Sequence, residues 1–337
     1  MAAESAGSAG AADNGPMRLS PKTVGLASAT ITVVIWTAFI VVARASADPA
    51  RGAALLPLDI AFLRILGASA ILLPWGAWLV RRAGGEGWLG LSPLPWRVTV
   101  LTGLFGGLLY AMLAYGGFFF APAAHASVLL PGSLPLWTAL LAVPVLGERL
   151  TPWRVLGLAC IVGGDLLVGG PSLLKALDGG SVWKGDLLFM AAALCWGCYT
   201  VLARRLGLDA VRATIAIICF AALTYLPTYG LLALTGQVPS RLGSAPLPLM
   251  LFQATFQGWG SVVVSGITFT QMVRTYGPVR STMITALVPG LSALGAVLLL
   301  GEPLSAGLLG GLALVTVGIL FGVRAARPAV PSAVQAR

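Results

Sequence analysis

The sequence predicts an all-α integral membrane protein, with ten transmembrane helices arranged as two inverted five-helix repeats. Three observations predict it. The 337 residues are 58% hydrophobic and only 9% charged, too little polar surface for a soluble chain to cover itself. Apolar stretches of about 20 residues, the length that crosses ~30 Å of hydrocarbon, recur along the chain. Finally, one passage is written twice: aligning 127–164 with 281–318, an offset of 154, gives 14 identities in 38 positions without a gap, the mark of a duplicated unit.

The predicted spans are 23–43, 58–80, 97–120, 124–146, 153–170, 185–203, 211–235, 249–273, 280–300 and 304–323. Ahead of them, residues 1–22 are small and polar, with Glu4 and Asp13 and no basic segment before an apolar core, so they read as a disordered tail and not a cleaved signal peptide. Residues 324–337, broken by Pro328 and Pro331, read the same way. The first repeat is 23–170, the second 184–323, with a Gly/Ser/Asp-containing linker at 171–183. Because each repeat has an odd number of spans, the second enters the membrane from the opposite side, and the halves are related by a pseudo-two-fold axis in the membrane plane. The first spans also match: Trp36 to Arg44 reads W-T-A-F-I-V-V-A-R and Trp196 to Arg204 reads W-G-C-Y-T-V-L-A-R.

Cytoplasmic segments are enriched in Lys and Arg. With the N-terminus inside, five of the 21 basic residues fall outside (Arg44, Arg51, Lys175, Lys184, Arg241), Arg64 falls within a span, and the other 15 fall inside. Both termini are therefore expected in the cytoplasm of a protein of the cell inner (plasma) membrane. The net charge of +10 is dispersed over short segments, which suits anionic lipid headgroups and not a nucleic acid. Cys160, Cys195, Cys198 and Cys219 all lie in spans. Cys195 and Cys198 form C-x-x-C, but no second pair or nearby His completes a metal site, so they read as small apolar filler and no metal or cofactor is expected.

The strongest local signal is Gly147, Glu148 and Thr151 against Gly301, Glu302 and Ser305. The glycines suit helix ends, and Thr151 and Ser305 suit N-caps. Glu148 and Glu302 are placed to accept from free N–H groups of the helix that follows. Pro135 and Pro289 interrupt the fourth and ninth spans at matching places, the sequence pattern that points to a transport site; a packed kink without a ligand is the alternative. Pro131 has no partner, Thr285 standing at its equivalent. Gly103-x-x-x-Gly107 and Gly307-x-x-x-Gly311 allow close helix approach, and Gly157 and Gly311 occupy equivalent positions. Charges within spans are few. Arg64, a little over one turn beyond Asp59, fits structural pairing, snorkelling or a substrate contact, and Asp165 is equally ambivalent. His125 is expected near an interface, with a proton relay as the alternative. Tyr110, Tyr115, Gln253, Gln257, Trp259, Ser261, Ser265, Thr268 and Gln271 supply polar and aromatic groups for a central cavity, with Gln253 and Gln257 the preferred pair. Interhelical hydrogen bonding is the alternative role for them.

These residues resemble the EamA family of the drug/metabolite transporter superfamily. The resemblance rests on the Trp-to-Arg ending of the first span, Phe62-Leu63-Arg64, the 127–151 passage with Leu-Gly-Glu-Arg-Leu-Thr, and the later Leu-Gly-Glu-Pro-Leu-Ser. It covers about 23–323. It implies a ten-helix secondary carrier with a central cavity formed mainly by spans 1, 3, 4, 6, 8 and 9, and hence Trp36, Tyr110, Ser133, Trp196, Tyr199, Gln257 and Thr285 as lining residues, beside Pro135, Gln253 and Pro289. Pro303 stands where Arg149 stands in the first copy, so that position is not a symmetric element.

The function expected is a secondary transporter, an exporter of small amino-acid-like or related metabolites working by alternating access, with multidrug or lipid-linked compound efflux as the alternative. No Gly-x-x-x-x-Gly-Lys-(Ser/Thr) loop occurs, so ATP is not expected to drive it. A membrane-embedded enzyme would need clustered Ser/His/Asp or metal ligands, for which a single His is a poor start. Expected partners are a small-molecule substrate and membrane lipids, no nucleic acid, with a homodimer left open.

Overall fold

The structure, a computed structural model, describes residues 20–52, 54–85 and 87–324, with the backbone alone at 21, 273, 274, 277–280, 282, 283, 323 and 324. The expected tails at 1–19 and 325–337, with Arg18, Arg327 and Arg337, lie outside the described residues. So do the side chains of Arg274, Arg280 and Arg324.

The described chain is helical throughout, with a lone bridge between Trp88 and Ser92. Helix α1 (Pro21–Ala47) opens on Ser20, whose hydroxyl accepts from Thr23 N, and α2 (Pro57–Arg82) on Leu56 with Pro57 in the first turn. Helix α3 (Trp96–Phe120) contains a π-helical stretch at Leu104–Leu109, and α4 (Ala123–Leu146) one at Val128–Gly132. Then come α5 (Pro152–Leu174), α6 (Val182–Arg205) and α7 (Ala210–Leu234). Helix α8 (Leu247–Gln253) passes through a π-helical stretch, Ala254–Val264, into α9 (Ser265–Thr285), followed by α10 (Leu287–Leu300) and α11 (Ala306–Arg324). Among the described residues, α1 to α7 are each long and apolar enough to cross a membrane, and α10 and α11 are shorter apolar helices.

Two expected boundaries move. Helix α5 continues through Pro171 to Leu174, into the predicted linker. The predicted gap between 273 and 280 is helical, and the break comes at Ala286. Pro289 explains the new position, because it has no N–H for the carbonyl of 285 and its ring clashes with that carbonyl. In α4 the corresponding break comes at Ser133, between Pro135 and the carbonyl of Pro131 that its ring opposes, and the preceding turn is widened so that Ser133 N bonds Val128 O at 3.1 Å.

The duplication is visible in the packing. Helix α1 packs on α9 and α10, while its counterpart α6 packs on α3 and α4. Along α5 and α11 the chain directions oppose. A Cβ on Gly157 would lie 2.5 Å from Gly318 O, and one on Gly164 would lie 2.7 Å from Gly311 O. Each of these contacts is the other's image under the 154-residue offset, so the pseudo-two-fold axis passes between the two helices. Gly103 and Gly107 likewise admit Phe220 and Ile217 of α7. Around the outside stand exposed leucines such as Leu298 and Leu299, whereas Thr32, Thr102 and Ser292 are buried, the distribution of a protein solvated by lipid.

Each copy of the Gly-Glu motif closes a helix in the same way. Gly147 and Gly301 take the left-handed conformation, φ +69° and +66°, and Glu148 N and Glu302 N bond the carbonyls of Ala142 and Ala296. Thr151 Oγ1 accepts from Arg154 N, and Ser305 Oγ from Leu308 N. Among the described residues neither glutamate accepts from a backbone amide of the helix that follows it, and one amide of each such helix is taken by the Thr or Ser hydroxyl. Glu302 instead accepts from Ala123 N (3.0 Å) and Ala124 N (2.9 Å) at the start of α4, which has no cap of its own, and lies 3.6 Å from Arg44 Nε. Glu148 pairs with Arg204 (2.6 Å) and Arg154 (2.9 Å). Arg44 and Arg204 are the matched ends of the first spans, so each half's arginine reaches the other half's glutamate.

Three stability outcomes follow. Gly157→Ala should lower the unfolding free energy in detergent by about 1–3 kcal/mol, the cost of overpacking, while Gly170→Ala, with nothing within 4 Å of its Cβ, should not; equal behaviour would mean that α5 and α11 stand farther apart. Glu302→Gln should cost ~1–3 kcal/mol by weakening the acceptance of two amides at a buried helix start. Glu148→Gln should cost less than about 1 kcal/mol, because Arg204 is 55% exposed and such pairs are screened.

Candidate functional site

Polar residues recur every three or four positions from α8 through the π-helical stretch into α9, and this stripe faces α1 and α2. Gln253 Nε2 donates to Ser46 Oγ at 2.7 Å, Ser261 Oγ accepts from Arg64 Nη1 at 3.1 Å, and Thr268 and Thr32 share a hydrogen bond of 2.9 Å. Between them Gln257 is fully buried, and among the described residues neither of its amide atoms has a partner; Gln253 Oε1 has none either. Trp259 leaves the expected cavity set. Two residues beyond Gln257 it points to another face, bonding Gly67 O at 2.9 Å and standing 44% exposed.

Arg64 is buried, so it does not snorkel to the surface. Its Nη1 also donates to Tyr115 OH at 3.4 Å, and its guanidinium lies 5.5 Å over the Phe39 ring. Asp59 does not pair with it. That carboxylate accepts from Leu56 N, Tyr229 OH (2.7 Å), Ser240 Oγ (2.6 Å) and Arg241 N (3.0 Å), fastening the start of α2 to α7 and to the segment before α8. A close backbone approach holds α2 to the stripe: a Cβ on Gly67 would lie 2.0 Å from Ala254 O, and one on Gly258 2.9 Å from Arg64 O.

The aromatic residues form two groups. Trp36 stacks on Phe269 at 5.0 Å, and Trp196 lies 4.9 Å from Tyr110 and 5.2 Å from Tyr199. In each half, then, the tryptophan of the first span rests on a ring from the third span of the other half. Tyr199 depends on Gly106, where a Cβ would come within 2.9 Å of its ring. Phe39 and Phe269 were not singled out by the sequence, although Phe269 could have been found by carrying the 154-residue offset back to Tyr115. Ser133, Pro135, Thr285 and Pro289 cluster by position at the two helix breaks. Ser133 donates its hydroxyl to Leu129 O, which turns it back into its own helix.

Asp165 belongs to a separate group. It is 7% exposed, neither carboxyl oxygen has a partner among the described residues, and it borders a cavity of about 150 Å³ shared with Leu129, Asp186 and Met190. Asp186 holds His125 Nδ1 at 2.8 Å and accepts from the Ser172 hydroxyl. His125 is therefore tied to a carboxylate partner near the starts of α4 and α6, with its side chain 23% exposed. A second cavity, about 330 Å³, is an apolar groove between α1 and α10, bordered by Thr37, Val41, Leu291 and Gly295. Neither cavity includes Arg64 or Gln257 in its walls.

Against known proteins, the profile of the EamA-like transporter family matches residues 23–170 and 183–324. The protein named "Uncharacterized transporter YyaM" of Bacillus subtilis (strain 168) is 27% identical over 198 residues, 57% of this chain and 62% of that one. "Uncharacterized protein PA1977" of Pseudomonas aeruginosa is 33% identical over 209 residues, 57% of this chain and 64% of that one. An uncharacterized transporter of Archaeoglobus fulgidus is 30% identical over 168 residues, 49% and 54% of the two chains. The matches thus span between about half and two thirds of these relatives' lengths. A crystal structure superposes with a TM-score of 0.59 at 24% identity, covering 90% of this chain and 98% of the other, which is a likeness of fold. The chain is a multi-pass membrane protein and belongs to the EamA-like transporter family, within the drug/metabolite transporter superfamily.

Proposed function

We propose that the chain is a secondary transporter that exports small metabolites by alternating access. In this reading ten crossings form two inverted five-helix repeats in the cell inner (plasma) membrane, with both termini in the cytoplasm. The observation that carries it is the antiparallel packing of the equivalent helices α5 and α11, each glycine contact being the two-fold image of the other. Two halves related in this way can rock about their shared axis and present one site to either side. The site in question is the polar stripe of α8 and α9 together with Arg64 and the flanking rings. A few hydrogen-bonding groups in an aromatic and apolar wall suit a small amphipathic solute. Efflux of multidrug or lipid-linked compounds is the second reading, favoured by the apolar groove between α1 and α10, whose border is almost wholly aliphatic.

The direct test is counterflow. Proteoliposomes preloaded with a metabolite extract should take up labelled solute saturably, and cells carrying the chain should accumulate less of it than cells lacking it. Flux that rises linearly without saturation would indicate a channel. Gln257→Leu or Tyr110→Phe should reduce the saturable component about tenfold if each removes one hydrogen bond to the solute. Unchanged transport in both would remove those two residues from the site.

A further inference from the structure

Arg64 carries a full charge in the interior of the bundle, and everything it touches there is neutral. Among the described residues no carboxylate lies within 4 Å of it: the ion pairs involve Arg44, Arg51, Arg154, Arg204 and His125. The one nearby acid on its own helix, Asp59, is fully taken up by its four donors. A guanidinium has five N–H groups in a planar fork. In Arg64 the hydrogen bonds to Tyr115 and Ser261 both start from Nη1. The edge formed by Nε and Nη2 is left without a hydrogen bond, and it is one of the edges on which arginine binds a carboxylate through two parallel bonds.

Gln257 adds a second, independent sign. It lies one turn from Ser261 on the same polar stripe, it is 0% exposed, and both ends of its carboxamide lack partners. A buried amide without partners costs free energy comparable to the loss of its hydrogen bonds, and a buried cation without a counter-charge costs several times more. One ligand group would complete both donors: an anion with two oxygens, taking the guanidinium edge and the Gln257 Nε2 together. The depth of Arg64, seven residues or ~10 Å into α2, and its inward burial separate this position from the lipid headgroups.

We propose that Arg64, oriented by Tyr115 and Ser261 and assisted by Gln257, binds the carboxylate of the transported molecule, so that the substrates are organic monoanions. This rests on the transporter reading for its role in flux, but not for the binding itself. Each of the four side chains comes from α2, α3 or the π-helical stretch, and the close contacts of Gly67 and Gly258 fix α2 against that stretch, so their juxtaposition is a consequence of backbone packing.

The test uses the full chain purified in detergent, with formate, acetate and benzoate, their matched amides, benzylamine and sodium chloride as probes, and thermal unfolding as readout. At least one carboxylate should raise the unfolding temperature in a saturable way, while its amide and chloride at equal concentration do not. Arg64→Gln should weaken that carboxylate about tenfold or more, the loss of a charge-assisted pair, and erase the distinction between acid and amide. If Arg64→Gln does not fold, Arg64→Lys keeps the charge without the fork and should show a smaller weakening of the same sign. The proposal is overturned if no carboxylate acts on the wild type, if amide or chloride acts equally, or if both folded variants keep wild-type affinity. Counterflow separates the two readings. Carboxylate binding without any saturable flux defeats the transporter reading and leaves this site standing, whereas saturable flux confined to benzylamine or the amides does the reverse.

Discussion

A backbone amide at the start of a helix has no water to turn to inside a membrane, and this requirement organises the bundle. Helix α4 begins directly after Pro122 without a side-chain cap of its own, so its first two amides are completed by Glu302 from the other half of the chain. The same carboxylate lies beside Arg44 at the end of the first span. On the other side of the duplication Arg204 meets Glu148. Neither half is finished alone. Glu302 completes a helix start of the first half and Glu148 meets the arginine that ends the first span of the second, so the Gly-Glu loop of each copy fastens a helix end of the other.

This exchange leaves the middle of the bundle to packing and to the polar stripe. Glycines at 67, 258, 157 and 318 let backbones come within van der Waals distance, where lipid offers no hydrophobic drive for helix association. The rings then fill the spaces between halves, Trp36 on Phe269 and Trp196 on Tyr110. What remains unfilled is electrostatic: a guanidinium among hydroxyls and a carboxamide with both ends free. Arg64, hydrogen-bonded to Tyr115 and Ser261, ties α2 to α3 and to the π-helical stretch, with no carboxylate within 4 Å among the described residues.

Much of the architecture was legible in the chain because it is written twice. The offset of 154 residues located the glycine that closes α4 and α10, the hydroxyl that opens α5 and α11, and the prolines near both breaks. Glu302 was legible as an acceptor for free amides but not as the partner of α4, since only tertiary structure decides which amides are left open. The eighth and ninth spans were divided too early because apolar composition falls around 274–280 while the backbone stays helical, and Pro289 sets the break instead. Gln253 and Gln257 could be paired from their spacing, whereas the outward exposure of Trp259, grouped with them, depends on the π-helical stretch it sits in. The π-helical stretches have no residue signature that would reveal them, and they alter which side chains share a face. The link between His125 and Asp186 joins residues 61 apart, beyond the reach of any local pattern.

The seam between α5 and α11 lies on the pseudo-symmetry axis, and this has an evolutionary consequence. Away from the seam the copies have diverged, Pro303 standing where the first has Arg149. Along the axis each position touches the neighbourhood of its own counterpart, as in the interface of a homodimer before gene fusion. A side chain added at Gly157 or Gly164 therefore presses on the counterpart helix of the other copy, whereas walls away from the axis meet different neighbours in the two halves.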